Sequence, residues 1–217
     1  IKDVLPKGVV NVITGKGSGA GAFLQKHSGI DKIAFTGSTE IGREIAISAA
    51  EKIIPATLEL GGKSANIIYA DADFDLALDG VQMGILFNQG QVCCAGSRIF
   101  VEEKIYDKFI AVAVEKFKNL KVGDPLDPKT QMGSQINAKQ AAKIVEYINI
   151  GVKEGAKIAV GGKLATAGDS FVEPTLLVDV SNDMRVAREE IFGPVGVVIK
   201  FKNEDELIKM VNDSEYG

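Results

Sequence analysis

The sequence predicts an α/β fold, and three observations carry that expectation. Short apolar runs alternate with segments of helical period along the chain, which is the pattern of strand–helix units with parallel strands. Glycine-rich turns, "GKGSGA" and "GSTEIG", stand between an apolar run and a helical segment. No internal repeat or low-complexity tract interrupts the alternation. At 217 residues the chain can form one large domain or two small ones.

Taken in order, "VVNVITG" (Val9 to Gly15) reads as a buried strand and "GAFLQKHS" as the helix after it. "KIAFTG" is a second strand, followed by the helix "STEIGREIAISAAEK", where Ser38 or Thr39 can cap the first turn. "ATLELGG" is a third strand, and its Gly61–Gly62 pair punctuates the chain. A boundary at that pair gives a small α/β piece, residues 1–61, and a larger α/β domain, residues 62–217. The larger piece begins with the strand "SANIIYA", then a helix from about Phe74 to Phe87, a polar turn, the strand "SRIFVEE" and the helix "IYDKFIAVAVEKFKN". The loop "VGDPLDPKTQMGS" leads to a long helix from about Ala138 to Gly155 and the strand "KIAVGG". "FVEPTLLVDV", the loop "REEIFGP", the strand "VGVVIKF" and the helix "EDELIKMVND" complete it.

Composition narrows the function classes. A net charge of −4 supplies no basic footprint for nucleic acid or an anionic membrane surface. No apolar run approaches the roughly 20 residues of a membrane span, and no signal-peptide pattern opens the chain. Both cysteines are adjacent, in "FNQGQVCCAG". Neighbouring cysteines rarely bridge each other, and a disulfide framework needs them spread out. A tetrahedral metal site needs four ligands, and the only histidine, His27, is distant in sequence, so no metal is expected. Free thiols without a secretory signal favour a reducing, cytoplasmic setting.

Three places can carry chemistry. In "GKGSGA", Gly15, Gly17 and Ala20 fit a dinucleotide fingerprint with Ala in its last position, although a flexible turn explains them equally well. "GSTEIG" opens a helix whose exposed N–H groups suit a phosphate. Two such turns on neighbouring parallel strands would face one sheet edge, where nucleotides bind in open α/β folds. The second place is the cysteine pair, which is either a nucleophile with a bystander or two buried thiols. A cysteine nucleophile usually leans on a histidine, but His27 reads as a surface helix residue, so the base would be a carboxylate or lie outside this chain. The third is Glu59 in "LELGG". It is either an edge residue in water or a carboxylate facing a cleft, where a raised pKa would make it a general base.

"FTGSTEIG", "LELGGKS", "FNQGQVCCAGSR" and "EEIFGP", in this order and spacing, resemble the aldehyde dehydrogenase superfamily. The resemblance runs from about Val9 to Gly217 and includes the weaker signatures "GDPLDPKTQMG" and "EPTLL". It implies a partial Rossmann-like cofactor-binding segment over residues 1–61 followed by a catalytic α/β domain of the aldehyde dehydrogenase type. It implies Cys93 as nucleophile and Glu59 as general base. Gly37, Ser38 and Gly42 would approach the cofactor pyrophosphate, Glu190 would hold the nicotinamide ribose with Phe192 beside it, and Gly17 would lie near the adenosine. Leu60 would also bind cofactor, and Phe87, Val92 and Cys94 would line the substrate pocket. The implied cofactor is NAD or NADP, the substrate is a small-molecule aldehyde, and the parent is a homo-oligomer. The Cys93 thiolate would form a thiohemiacetal and then a thioester, with water activated by Glu59 releasing the acid.

Members of that superfamily are roughly twice this long, so the chain reads as an excised or truncated piece. The oxyanion asparagine, the region sorting NAD from NADP and much of the substrate tunnel would lie outside it, and the piece alone is expected to be inactive. Two alternatives remain: a non-catalytic structural domain, and a relative that passes the acyl group to coenzyme A. Glu59 argues against the latter, because such a reaction avoids a hydrolytic base.

Overall fold

Parallel strands organise the protein in the computed structural model, which describes residues 3–216. The chain divides into two units, Ile1–Gly61 and Gly62–Gly217.

The first unit begins its regular structure with a π-helical turn, Gly17–Gly21, that runs into the short helix α1 (Ala22–Lys26). Strand β1 (Ile33–Thr36), helix α2 (Thr39–Lys52) and strand β2 (Ala56–Glu59) follow. The two strands pair in parallel with Thr36 opposite Glu59, and the Gly37 N–H extends the ladder by donating to the Glu59 carbonyl at 3.0 Å. Ser38 caps α2, its Oγ accepting the Ile41 N–H at 3.3 Å, which satisfies a first-turn donor that would otherwise lack a partner. The predicted strand at Val9–Gly15 does not form, and the fingerprint reading of "GKGSGA" loses the strand it required. A strand needs a neighbour for its backbone groups, and no described strand pairs with this run. Its apolar side chains stay in solvent, with Val12 85% and Ile13 64% exposed.

The second unit is built on a five-stranded sheet of β3 (Ala65–Ile68), β4 (Arg98–Glu102), β5 (Lys157–Val160), β6 (Thr175–Val178) and β7 (Val195–Phe201), in the order β3-β4-β7-β6-β5. All neighbours are parallel, as strand–helix units predict, except β5, which runs antiparallel to β6 at the edge. The segment "FVEPTLLVDV" supplies β6. Alternation along the central strands separates two cores. Phe100, Val197, Ile199 and Phe201 pack with helices α5 (Ala138–Lys153), α6 (Arg185–Arg188) and α7 (Glu204–Asn212) on one face. Ile99, Val101 and Val198 pack with α3 (Phe74–Leu86) and α4 (Tyr106–Lys118) on the other. Burial on both faces explains why β4 and β7 read as continuous apolar runs. Side-chain caps from Asp73, Asn137 and Asn203 start α3, α5 and α7. No helix among the described residues is long and apolar enough to cross a membrane.

The units differ in what stabilises them. In the first, Ile45 and Ala49 are the buried apolar side chains among the described residues, beneath a sheet of only two strands. Two strands with so little burial are marginal, whereas the second unit buries both faces of its sheet. Native-state amide exchange is therefore expected to release β1 and β2 well before β4 and β7. Equal protection of all four strands would contradict this account.

Candidate active site

Helix α3 ends at Leu86, and the next residues reverse the chain sharply. Asn88 (φ 49°), Gln89 (φ 57°) and Gly90 (φ 70°) occupy the left-handed region in succession, which is uncommon outside glycine and costs conformational energy. The Gln91 N–H donates to the Asn88 carbonyl, and the Asn88 side chain donates back to the Gln91 carbonyl at 3.1 Å. A second turn follows at once, closed by the Ala95 N–H on the Val92 carbonyl at 3.2 Å. Cys93 and Cys94 are its two corner residues, and both are exposed, free thiols.

Two glycines hold these turns in place by letting backbone approach backbone. A Cβ on Gly62 would sit 2.1 Å from the Cys93 carbonyl oxygen, and a Cβ on Gly90 would sit 2.1 Å from the Gly193 carbonyl oxygen. No other residue type fits either place without moving the chain. The loop between α4 and α5 clamps the turn from another side, its Ile136 N–H donating to Gln91 Oε1 at 3.0 Å. Gln140 in the first turn of α5 donates to the carbonyls of Ile191 and Phe192, at 3.2 and 2.8 Å. That bond supports Phe192 in a left-handed conformation, φ 58°.

These backbone contacts bring Glu190 and Phe192 to the cysteine turn. Glu190 Oε1 accepts the Gly62 N–H at 3.3 Å. Gly62, Lys63, Ser97, Glu190 and Phe192 help line a cavity of about 10 Å³, close to the size that admits one water molecule. Gly62–Lys63, Ser97 and Gly193–Pro194 directly precede β3, β4 and β7. The cluster thus lies at the N-terminal ends of the parallel strands, opposite to the edge that open α/β sheets generally use.

Lys63 is the residue that reading the sequence missed. It is 2% exposed, and its Nζ has no hydrogen-bond partner among the described residues. Burial, with the nearby Arg98 guanidinium, pushes its pKa down from 10.5 to about 7, while Glu190 and Glu189 oppose the shift. The only signal for it in the sequence was a lysine directly after the Gly61–Gly62 pair.

The first unit holds the remaining predicted residues. Glu59 is exposed at the end of β2. Gly37 and Ser38 precede α2, and Gly42 is buried directly beneath the Leu60 side chain. Thr39 Oγ1, at the same helix end, is buried without a partner among the described residues. Gly17 borders a groove of about 660 Å³ formed by apolar parts of α1, β1 and α2, including Leu24, Ile33 and Ile41. The three predicted pocket residues do not share one hollow. Phe87 is 61% exposed and faces a separate depression with Met83 and Leu120, Val92 packs against the core under α3, and Cys94 points outward at its turn corner.

Lys63 makes stability depend on pH in a definite direction. Between about pH 7 and 10.5 the unfolded chain holds a proton on this amine that the folded protein has lost. Stability therefore rises with pH across that window by about 1.4 kcal/mol per pH unit from this group, and the cost is fully present below it. Lys63→Met should remove that rise and melt higher than the unaltered protein at pH 7 and below. Chemical denaturation from pH 6 to 10.5 measures both effects, and an unchanged slope would contradict the burial argument.

The sequence matches the aldehyde dehydrogenase family profile over residues 1–217. It is 53% identical to human retinal dehydrogenase 2 over 213 residues, 98% of this chain and 41% of that protein. Among solved structures, the NAD+ complex of an aldehyde dehydrogenase from Bacillus cereus matches with a TM-score of 0.91 at 46% identity, over 94% of this chain and 41% of that one. Betaine aldehyde dehydrogenase from Staphylococcus aureus, in complex with NAD+, matches at 0.95 and 43% identity, over 99% and 43%. The chain thus spans about two fifths of the length of these relatives. Sequence and fold agree: the chain belongs to the aldehyde dehydrogenase family.

Proposed function

We propose that this chain carries the nucleophile of an enzyme that oxidises an aldehyde to a carboxylic acid, with residues 1–61 in its dinucleotide-binding domain and 62–217 in its catalytic domain. One observation carries the reading above the others. Cys93 is exposed at a turn corner while its own carbonyl is pinned against Gly62, so the thiol is accessible and its backbone is fixed.

The residues of the first unit suit a dinucleotide. Gly37 and Ser38 lead into a 14-residue helix whose N-terminal N–H groups and partial positive charge favour a phosphate. The unpartnered Thr39 hydroxyl adds a donor there, and Gly42 and Leu60 pack behind that turn. The apolar groove beside Gly17 offers a surface for a flat base. Glu190 holds the ribose next to the nicotinamide, with Phe192 beside it. NAD or NADP, when bound, accepts the hydride; the NAD+ complexes of the related Bacillus and Staphylococcus enzymes favour NAD.

The protein's own groups do the rest. The Cys93 sulfur bonds to the carbonyl carbon, and its main-chain N–H donates to the oxygen as negative charge develops there. After hydride loss the acyl group stays on sulfur as a thioester. Glu59 takes a proton from water, the new C–O bond forms, the C–S bond breaks and Cys93 is regenerated. Of the residues near the turn, Cys94 is its second exposed corner, while Phe87 and Val92 lie apart from the thiol's open side.

Two tests follow. A limiting dose of iodoacetamide, mapped by mass spectrometry, should modify Cys93 before Cys94; the opposite order would reassign the nucleophile. In a protein of full family length that carries this chain, Glu59→Gln should still give a burst of reduced cofactor and then stall. Steady-state turnover should fall by about 10²–10⁴-fold, the usual loss on removing a general base. Near-normal turnover would leave Glu59 as an exposed residue at a strand end.

A further inference from the structure

The buried ammonium of Lys63 has a purpose that can be found by elimination among its charged neighbours. Arg98 on β4 is engaged through all three of its nitrogens, with Nε donating to the Lys63 carbonyl at 2.8 Å and Nη1 and Nη2 donating to the Met210 and Val211 carbonyls at 3.1 and 2.9 Å. Glu189 is engaged too. Its carboxylate takes Arg185 Nε at 2.6 Å, Arg185 Nη2 at 3.0 Å and the Tyr147 hydroxyl at 2.6 Å. Glu190 has only the Gly62 N–H, at 3.3 Å, so most of its acceptor capacity is free. Lys63 has all three donors free. Lys63 Nζ, which lacks a partner among the described residues, and Glu190, with its single bond to Gly62, line the same small cavity.

We propose that Lys63 and Glu190 form a charge pair across that cavity, and that Lys63 is the positioning residue that holds the Glu190 carboxylate against the Gly62 N–H. This rests on the reading of Glu190 as the ribose-holding carboxylate, which concerns what Glu190 grips, whereas the pair concerns what grips Glu190. Two features support it. A buried amine without a local partner is costly, and a site that keeps such a group uses its charge. The cavity's size also suits one water bridging the two groups.

The pair titrates in a predictable sense. The ionisable groups around Lys63 and Glu190 are Arg98, Glu189 and Tyr216, the last lying against the Glu190 main chain. Arg98 and Glu189 are fixed by the bonds described above, and Tyr216 titrates above its usual value because of burial. Lys63 is then the group that changes charge near pH 7. Its protonated form holds Glu190, so dinucleotide affinity should fall as pH rises through that value.

The test uses a protein of full family length carrying this chain, as unaltered protein, Lys63→Met, Glu190→Gln and the double variant. NAD binding is measured by calorimetry from pH 6 to 8.5, with crystal structures of the unaltered protein and Lys63→Met. We expect Lys63→Met to bind NAD on the order of tenfold more weakly at pH 6, within the range of coupled side-chain pairs. Its affinity should no longer vary with pH near 7, and the double variant should bind no more weakly than Glu190→Gln alone. In the Lys63→Met crystal structure the Glu190 carboxylate should have left the Gly62 N–H. An unmoved carboxylate, or penalties that simply add in the double variant, would overturn the pair. If Glu190→Gln binds NAD normally, the ribose role of Glu190 fails, and the crystal structures still decide the pair. Since Lys63→Met replaces a buried amine by an apolar side chain of similar length, it should fold; if it does not, Lys63 is structural and the proposal is wrong.

Discussion

Contact between main chains at two glycines is the constraint on which the rest of the second unit depends. Gly62 meets the Cys93 carbonyl and Gly90 meets the Gly193 carbonyl at distances no side chain permits. These two approaches join three segments far apart in sequence: the entrance to β3, the turn after α3 and the loop before β7. Everything proposed as chemically active there sits on one of the three. A backbone contact cannot rotate away as a side chain can, so these segments have little freedom to shift relative to one another. The arrangement is maintained at the expense of strain, with Asn88, Gln89 and Phe192 all held at positive φ. The hydrogen bonds from Ile136 and Gln140 help offset that strain.

The charges at this site divide into those that are fixed and those that are free. Arg98 ties β4 to the end of α7 through main-chain carbonyls, and Glu189 ties α6 to α5 through Arg185 and Tyr147. Charge-assisted hydrogen bonds of this kind, several to one group, rigidify a fold. Adjacent Glu190 is different in kind, since one peptide step turns it toward Gly62 instead of toward Arg185. A fold selected for stability alone would not leave Lys63 buried and unpartnered beside it. Local departures from stability concentrate where function is.

Much of this was legible in the sequence, and the failures have physical causes. The helices were recognisable because Ser38, Asp73, Asn137 and Asn203 cap four of them and the apolar periodicity runs between the caps. β4 and β7 were recognisable as apolar runs buried on both faces. Val9–Gly15 is similarly apolar, but no described strand pairs with it, and composition does not report pairing. The direction of β5 was invisible for a related reason, since an edge strand of four residues carries no mark of its orientation. The "GSTEIG" turn, Glu59 and the cysteine pair could be singled out in short motifs of unusual composition, but Cys93 over Cys94, the base role of Glu59 and Glu190 itself were named only through the resemblance to aldehyde dehydrogenases. Lys63 could not be singled out, because its importance comes from burial beside residues about 35 and 130 positions away, a property of the tertiary structure alone.

The adjacent cysteines are explained by the turn they occupy. In the four residues Val92 to Ala95 the ends face inward, Val92 against the core under α3 and Ala95 buried. The two corners must then face outward, because a turn that buries both its ends exposes both its middle residues. Exposure is thus shared by Cys93 and Cys94 and cannot by itself tell them apart. What separates them is the backbone: the Cys93 carbonyl is the one locked against Gly62. A thiol whose main chain is immobile can be aimed, which is why the proposed nucleophile is Cys93 rather than its neighbour. Gly62 therefore does more than allow close packing. By the atom it lacks, it sets the Cys93 backbone apart from that of the neighbouring, also exposed, Cys94.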